Sequence, residues 1–356
     1  MKEIRNKIID FLLNNADPSI VLRVKKEILN CLTDKEEREL IDLITSQKIV
    51  QNIIQSQKPD GWFGNGFHGQ SPALGAGMYD NMEVGLRYLS EKGFSADNEY
   101  ISKAVHSFLS KEPFDPAYRV KAPNPPDTDY TYTACGLYLA RSSIIIRAGY
   151  EFCLPENNFI DLKRDIDFSF KTFANILNYS GTADAIDTHR KKLCFKPDVL
   201  WPCIYHLRML AHSQGWRNAE NTSLLADSLN RLFSFPRSDE MVYTYIKGKL
   251  AGPAFAFINS QMKILDTDEG KLSLDAMELF ARCGIIKEVA ILKNKYEYML
   301  SLIDSNINVN INVDKRKSHE WSPYFGFALE EDWKDNIRLQ CDLLFRILII
   351  IHYLEL

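Results

Sequence analysis

The sequence lacks any long uninterrupted apolar run. Its most apolar stretch, Leu343 to Ile351, is broken by Arg346 and falls far short of the roughly 20 residues that span a bilayer. It reads as a buried closing helix, and no transmembrane segment is expected. The start, Met1-Lys2-Glu3-Ile4-Arg5, mixes charges and has no apolar core of the signal-peptide kind. Cysteine pairing is also missing. Cys31, Cys135, Cys153, Cys194, Cys203, Cys283 and Cys341 are odd in number and none has Cys-x-x-Cys spacing, which predicts buried, reduced thiols and a cytoplasmic protein. Basic excess is absent: 43 Lys and Arg stand against 47 Asp and Glu. That excludes a dedicated nucleic-acid binder, which would carry a positive footprint. There is no glycine phosphate loop followed by lysine, no His-Glu-x-x-His, no Gly-x-Ser-x-Gly and no dinucleotide fingerprint. Nucleotide-driven, zinc-peptidase and common serine-hydrolase chemistry are thereby set aside.

What is present is apolar spacing of helical period. Ile4, Ile8, Phe11 and Leu12 share a face, as residues three and four apart on a helix do. Asp17 then suits an N-cap with Pro18 at the first helical position. Thr33 or Asp34 begins a third helix. A glycine-rich segment from Lys58 to Gly77 interrupts the pattern, and a second irregular stretch runs from Lys111 to Pro126. Further helices are expected from Met78 to Lys92, Asp97 to Ser110, Asp127 to Gly149, Phe159 to Leu177, Val199 to Gln214, Glu220 to Phe233, Glu240 to Gln261, Leu274 to Arg282, Ile286 to Asp304 and Asn336 to Leu354. Only Asn306 to Val313 alternates with period two and reads as a strand. Helices without intervening strands exclude a doubly wound sheet. The class is all-α, with one domain over residues 1–356: N-terminal helices in 1–56 and the remaining helices in 57–356.

Gln57-Lys58-Pro59-Asp60-Gly61-Trp62-Phe63-Gly64 resembles the glutamine-tryptophan motif of terpenoid cyclases and the glycine-rich turns of protein prenyltransferase beta subunits. Glu320-Trp321-Ser322-Pro323-Tyr324-Phe325-Gly326 is a degenerate echo. The chain is also similar to bacterial proteins described only as prenyltransferase or squalene-cyclase repeat proteins. The resemblance implies an (α/α) toroid of inner and outer helices, with at most a short strand pair. Asp127-Thr128-Asp129-Tyr130-Thr131 resembles the Asp-x-Asp-Asp-Thr motif of class II terpene cyclases, with Tyr130 in place of the last aspartate. By that resemblance Asp129 would be the catalytic acid and Asp127 its neighbour. If the protein is an enzyme, terpene cyclase-like or prenyltransferase-like chemistry is implied.

The candidate ligand-lining residues are Trp62, His68, Tyr79, Asp80, Glu83, Tyr130, Trp201, Tyr205, His206 and His212. Trp62 lies in the glycine-rich turn, and a glycine-flanked His68 is less apt to be core. Trp201, Tyr205, Arg208 and His212 share one face of a helix at spacings of four, three and four. Cys203 and His206 lie one turn apart, but no third ligand can be placed, so neither metal nor cofactor is expected. The Glu330-Glu331-Asp332 run reads as solvated surface. An aromatic content of 12% agrees with an apolar cavity for a small apolar molecule, an isoprenoid first. Alternatives are a carbohydrate-active helical barrel using Asp80 and Asp129 as paired carboxylates, and a protein-interaction scaffold.

Overall fold

A computed structural model of the chain describes residues 2–64, 66–67, 81–110, 132–154, 161–196, 199–236, 240–246, 249–251, 256–257, 270–311, 313, 321, 326 and 328–355. Helices dominate. They are α1 (Lys2–Asn15), α2 (Pro18–Arg23), α3 (Asp34–Ser46), α4 (Lys48–Gln55), α5 (Met82–Glu91), α6 (Glu99–Ser110), α7 (Tyr132–Arg147), α8 (Leu162–Ala174), α9 (Ile204–His212), α10 (Ala219–Ser234), α11 (Gly270–Arg282), α12 (Ala290–Ser301) and α13 (Asn336–Glu355). A π-helical turn, Val24–Ile28, extends α2. No helix among the described residues is long and apolar enough to cross a membrane.

Local chemistry explains where these helices begin. Thr33 and Glu36 form a reciprocal capping box on α3, each satisfying a backbone N–H that the helix leaves open. Asn81, Asp161 and Asn218 cap α5, α8 and α10 through their side-chain oxygens. Asp17 precedes α2 but makes no such cap; its carboxylate instead accepts from Glu331 N at 2.7 Å and from Arg338. The turn after α4 depends on glycine. Gly61 has φ +91°, and a Cβ there would lie 2.1 Å from the Lys103 carbonyl on α6. Gln57 Nε2 donates to the carbonyls of Gly61 at 3.1 Å and Tyr100 at 2.9 Å, tying the turn to the start of α6.

The helices pack mainly against neighbours in a chain of contacts. Helices α5, α7, α9, α11 and α13 touch in succession, each against the next. Helix α6 packs on α5, α8 on α7 and α9, α10 on α8, α12 on α10, and α1 on α13. Helix α13 is buried on every face from Leu339 to Ile351, as an all-round apolar helix must be. This is the closing helix read from Leu343 to Ile351.

Several expectations are corrected among the described residues, the limit of one short strand pair included. The segment expected to be helical from Glu240 to Gln261 contains strands. Two hairpins are present: β1 (Ile186–His189) with β2 (Lys192–Phe195), and β3 (Thr244–Ile246) with β4 (Lys249–Ala251). Thr244, Tyr245 and Ile246 are strand formers, and Tyr243 exchanges backbone bonds of 2.8 Å with Leu193 and Phe195. Arg190 and Lys191, both at positive φ, make the two-residue turn of the first hairpin. Conversely, among the described residues of Asn306 to Val313 the pairing is an isolated bridge between Ile303 and Val309. The Asp304 carboxylate accepts from the backbone N–H of Asn306 and Asn308 and curls the chain. Val309 bonds to the Gln340 side chain of α13 instead of to a strand. Finally, Glu330 of the acidic run is fully buried, and Cys31 and Cys153 are exposed while Cys194, Cys203, Cys283 and Cys341 are buried.

Candidate functional site

Helix α5 carries Glu83, Arg87 and Glu91 at intervals of four residues. That spacing aligns them on one face, and all three are buried. The same spacing recurs as Arg208 and His212 on α9 and as Glu278 and Arg282 on α11. Arg23 at the end of α2, Arg147 at the end of α7 and Arg346 in α13 complete a cluster. Arg23 Nη1 donates to Glu91 Oε2 at 3.0 Å. Arg147 Nη2 and Arg346 Nη1 lie 3.0 and 3.2 Å from the same oxygen. Glu278 accepts from Arg282 Nε at 2.9 Å and from Arg346 Nη1. Glu27 accepts from Arg23 Nη2 at 3.2 Å and Arg282 Nη2 at 2.9 Å.

Burial alone would raise these carboxyl groups, because it penalises the charged form. The arginines win. Arg147, Arg346 and Arg23 bring Glu91 down to about 2. Arg346, Arg282 and Arg23 hold Glu278 well below the ordinary carboxylate range. Burial also opposes charge on Arg346 and Arg282, yet Glu278 and its fellow carboxylates lift both above the ordinary guanidinium value.

A cleft opens beside this cluster. Its unfilled space is about 370 Å³, including the part open to solvent. Arg87, Arg147, Arg208, His212, Asp275 and Trp321 line it, with Glu91, Ser143, Ile144 and Leu279. The Arg87 guanidinium lies over the Trp321 ring, 5.1 Å from its centre, and Arg208 lies 5.6 Å from the centre of the Tyr205 ring. Trp321 in turn meets Tyr88 edge-on at 4.9 Å. Gly326 permits this placement of Trp321, since a Cβ there would lie 2.2 Å from the ring. Burial, and then repulsion from Arg208, bring Arg87 down to about 10. Burial also lowers Arg147, reinforced by Arg23 and Arg282. Burial raises Asp275 against the pull of Arg208 and Arg87. His212, buried beside Arg147, is held neutral, well below its ordinary value; Arg147 Nη1 approaches its ring nitrogens at 3.2 and 3.1 Å.

A second charged seam joins the start of α2 to the start of α13, and here carboxylates predominate. Glu330 accepts from Asp17 N at 2.9 Å and from Arg338 Nη1 at 2.9 Å. Asp342 accepts from Leu329 N at 2.6 Å, Glu330 N at 3.2 Å and Trp333 Nε1 at 2.7 Å. Lys92 Nζ donates to Gln47 Oε1 at 2.7 Å and to the Leu329 carbonyl. Burial, with Asp342 and Asp17 nearby, pushes Glu330 up to about 9. Burial lifts Asp342 to about 6 and lowers Lys92 to about 8.

The residues singled out from sequence fall into three groups. Glu83, Tyr205 and His212 belong to the central region, with Tyr205 donating to Glu83 Oε1 at 2.8 Å; of the three, His212 lines the cleft. Trp62, Trp201 and His206 are packed inside the core. Trp62 meets Phe108 edge-on. Trp201 stacks on Tyr179 and donates to the Phe257 carbonyl at 3.0 Å. His206 Nδ1 accepts from Cys203 N at 3.0 Å, which occupies the lone pair a metal would need, and burial lowers it to about 3. Among the described residues no group of three His, Cys, Asp or Glu is arranged to hold a metal ion. His68, Tyr79, Asp80, Asp127, Asp129 and Tyr130 lie outside the described residues. Sequence reasoning missed Glu91, Arg147 and Asp275; the Glu83-Arg87-Glu91 spacing was the signal that would have found the cluster.

Comparison with protein-family models, with curated proteins and with solved structures finds no match.

Proposed function

We propose that the chain is a ring of inner and outer helices that binds a small molecule in the cleft at one end of its inner layer. The observation that carries this reading is convergence: α5, α7, α9 and α11 each send ionic side chains to one cleft. The successive packing of α5, α7, α9, α11 and α13 supports a closed ring, as does the meeting of Glu91 with Arg346 of α13. Binding sites between helices are a recurrent use of such packing. The resemblance to terpenoid cyclases suggested an isoprenoid. The apolar lining among the described residues is limited to Ile144, Leu279 and Trp321, so a ligand with a polar group fits the cleft better than a plain hydrocarbon.

A scaffold role is the second reading. It is favoured by ionic side chains filling the centre of the inner layer. Small-angle scattering and a thermal-shift screen with charged and neutral small molecules separate the readings. A closed monomer of this length has a radius of gyration of about 20 Å, and at least one class of small molecule raises its melting temperature. A markedly larger radius at infinite dilution contradicts the ring, and silence across the screen contradicts the binding role.

A further inference from the structure

We infer that residues 328–335 form a pH-sensitive strap, fastened by carboxyl groups of α13 and of the start of α2, that opens locally as pH rises. This is independent of the small-molecule reading of the cleft. The first support is how the strap is bonded. Residues 328–335 form neither helix nor strand. The backbone N–H groups of Leu329 and Glu330 donate to the two carboxyl oxygens of Asp342, at 2.6 and 3.2 Å, and that of Glu331 donates to Asp17 at 2.7 Å. Trp333 Nε1 also donates to Asp342, at 2.7 Å. In helices and sheets such backbone donors meet carbonyls, which do not titrate. Here three successive N–H groups depend on groups that do.

The second support is what surrounds Glu330. Its side chain is fully buried and accepts from Asp17 N at 2.9 Å and from Arg338 Nη1 at 2.9 Å. Asp17 faces it from the start of α2 and Asp342 from α13. Lys92 faces it from the end of α5, where its ammonium donates to Gln47 Oε1 and to the Leu329 carbonyl. Glu331 beside it, with Cys341 and Arg346 of α13, completes the ionisable groups around the seam. Loss of the Glu330 proton in the closed strap therefore sets a buried negative charge beside two other carboxyl groups. Burial and these neighbours push Glu330 up to about 9, against 4.5 when it is free in water. A raised group favours the closed strap below its ordinary value, and that preference is lost as pH rises through the interval up to the raised one. Leu329 and Trp333 stay anchored in the core, so the open strap is a minor, local excursion of the kind that hydrogen exchange detects.

The test is hydrogen exchange of the full chain, read by mass spectrometry from about pH 5 to about pH 9 and corrected for the intrinsic pH dependence of amide exchange. The amides of Leu329, Glu330 and Glu331 should exchange ahead of those of Leu343 to Ile351 in α13 at every pH. Their protection should fall by up to roughly tenfold per pH unit, the linkage of one proton. Glu330→Gln keeps the size and the acceptor but not the titration, and should flatten that fall. Protection of the strap that is indifferent to pH overturns the inference, and so does exchange of the strap only in step with α13. Both are read on the unmodified chain and hold if the variant does not fold. An equal fall in folded Glu330→Gln overturns it as well.

Discussion

Two buried charged regions of this protein solve the same problem in opposite ways. Around α5, α11 and α13, arginines hold Glu27, Glu91 and Glu278 ionised. At the seam, Asp17, Glu330 and Asp342 crowd around Arg338 and Lys92, and burial keeps Glu330 and Asp342 partly protonated near neutrality. Burial penalises the charged carboxylates in both regions. The difference lies in whether enough opposite charge accompanies the carboxylates. A region whose carboxylates each meet several guanidinium groups keeps them charged. A region where carboxyls crowd together takes up protons, and this one joins the start of α2 to the start of α13.

Breaking the arginine cluster should have the largest effect. Arg346 is fully buried and serves both Glu91 and Glu278. Arg346→Met removes one arginine from each of two buried carboxylates, leaving Arg23 and Arg147 on Glu91 and Arg282 on Glu278, and should cost about 3 kcal/mol, the lower end for removal of one partner from a buried ion pair. Urea unfolding measures it, and a loss under about 1 kcal/mol would show the carboxylates to be solvated after all.

The seam responds to pH instead. A carboxyl whose folded pKa is raised stabilises the protein below its unfolded value, and that stability is lost as pH rises through the folded value. For Glu330 the window runs from 4.5 to about 9, and for Asp342 from 3.8 to about 6. Lys92, lowered from 10.5 to about 8, acts in the other direction only above about 8. The arginine-held carboxylates are lowered, so their contribution is lost as pH falls below about 4.5 toward 2. Together the two regions place maximum stability near pH 5. Glu330→Gln should flatten the decline between pH 5 and 8 by more than about 1.4 kcal/mol, the equivalent of one pKa unit. Denaturation midpoints across that range check it, and an unchanged slope removes Glu330 from the account.

The smallest effect is expected at the rim of the arginine cluster. Tyr353 OH meets Arg282 Nη1 at 2.6 Å, while Arg282 keeps Glu27 and Glu278. Tyr353→Phe should therefore cost only about 0.5 to 1.5 kcal/mol, one net hydrogen bond, and leave the pH profile unchanged.

Helix content and the closing helix were legible in the sequence because apolar spacing at three and four residues is a local signal. The Glu240 to Gln261 segment misled because aromatic and β-branched residues satisfy helical spacing and strand propensity alike; its pairing with Leu193 and Phe195 is a long-range fact. Of the cluster, Tyr205, Arg208 and His212 were visible as a polar stripe on an apolar helix. Glu330 was misread because charge suggests solvent, and only the distant Asp17 and Arg338 make its burial tolerable. Arg147, Asp275 and Arg346 come from separate helices, and nothing local announces that their side chains converge.

The most direct test of the account is urea unfolding of the unmodified chain and of Glu330→Gln from pH 4 to pH 9. The contrast between the two charged regions predicts greatest stability near pH 5 and a shallower decline toward pH 8 in Glu330→Gln than in the unmodified chain. A stability maximum at or above pH 7, or the same decline in both proteins, would contradict it.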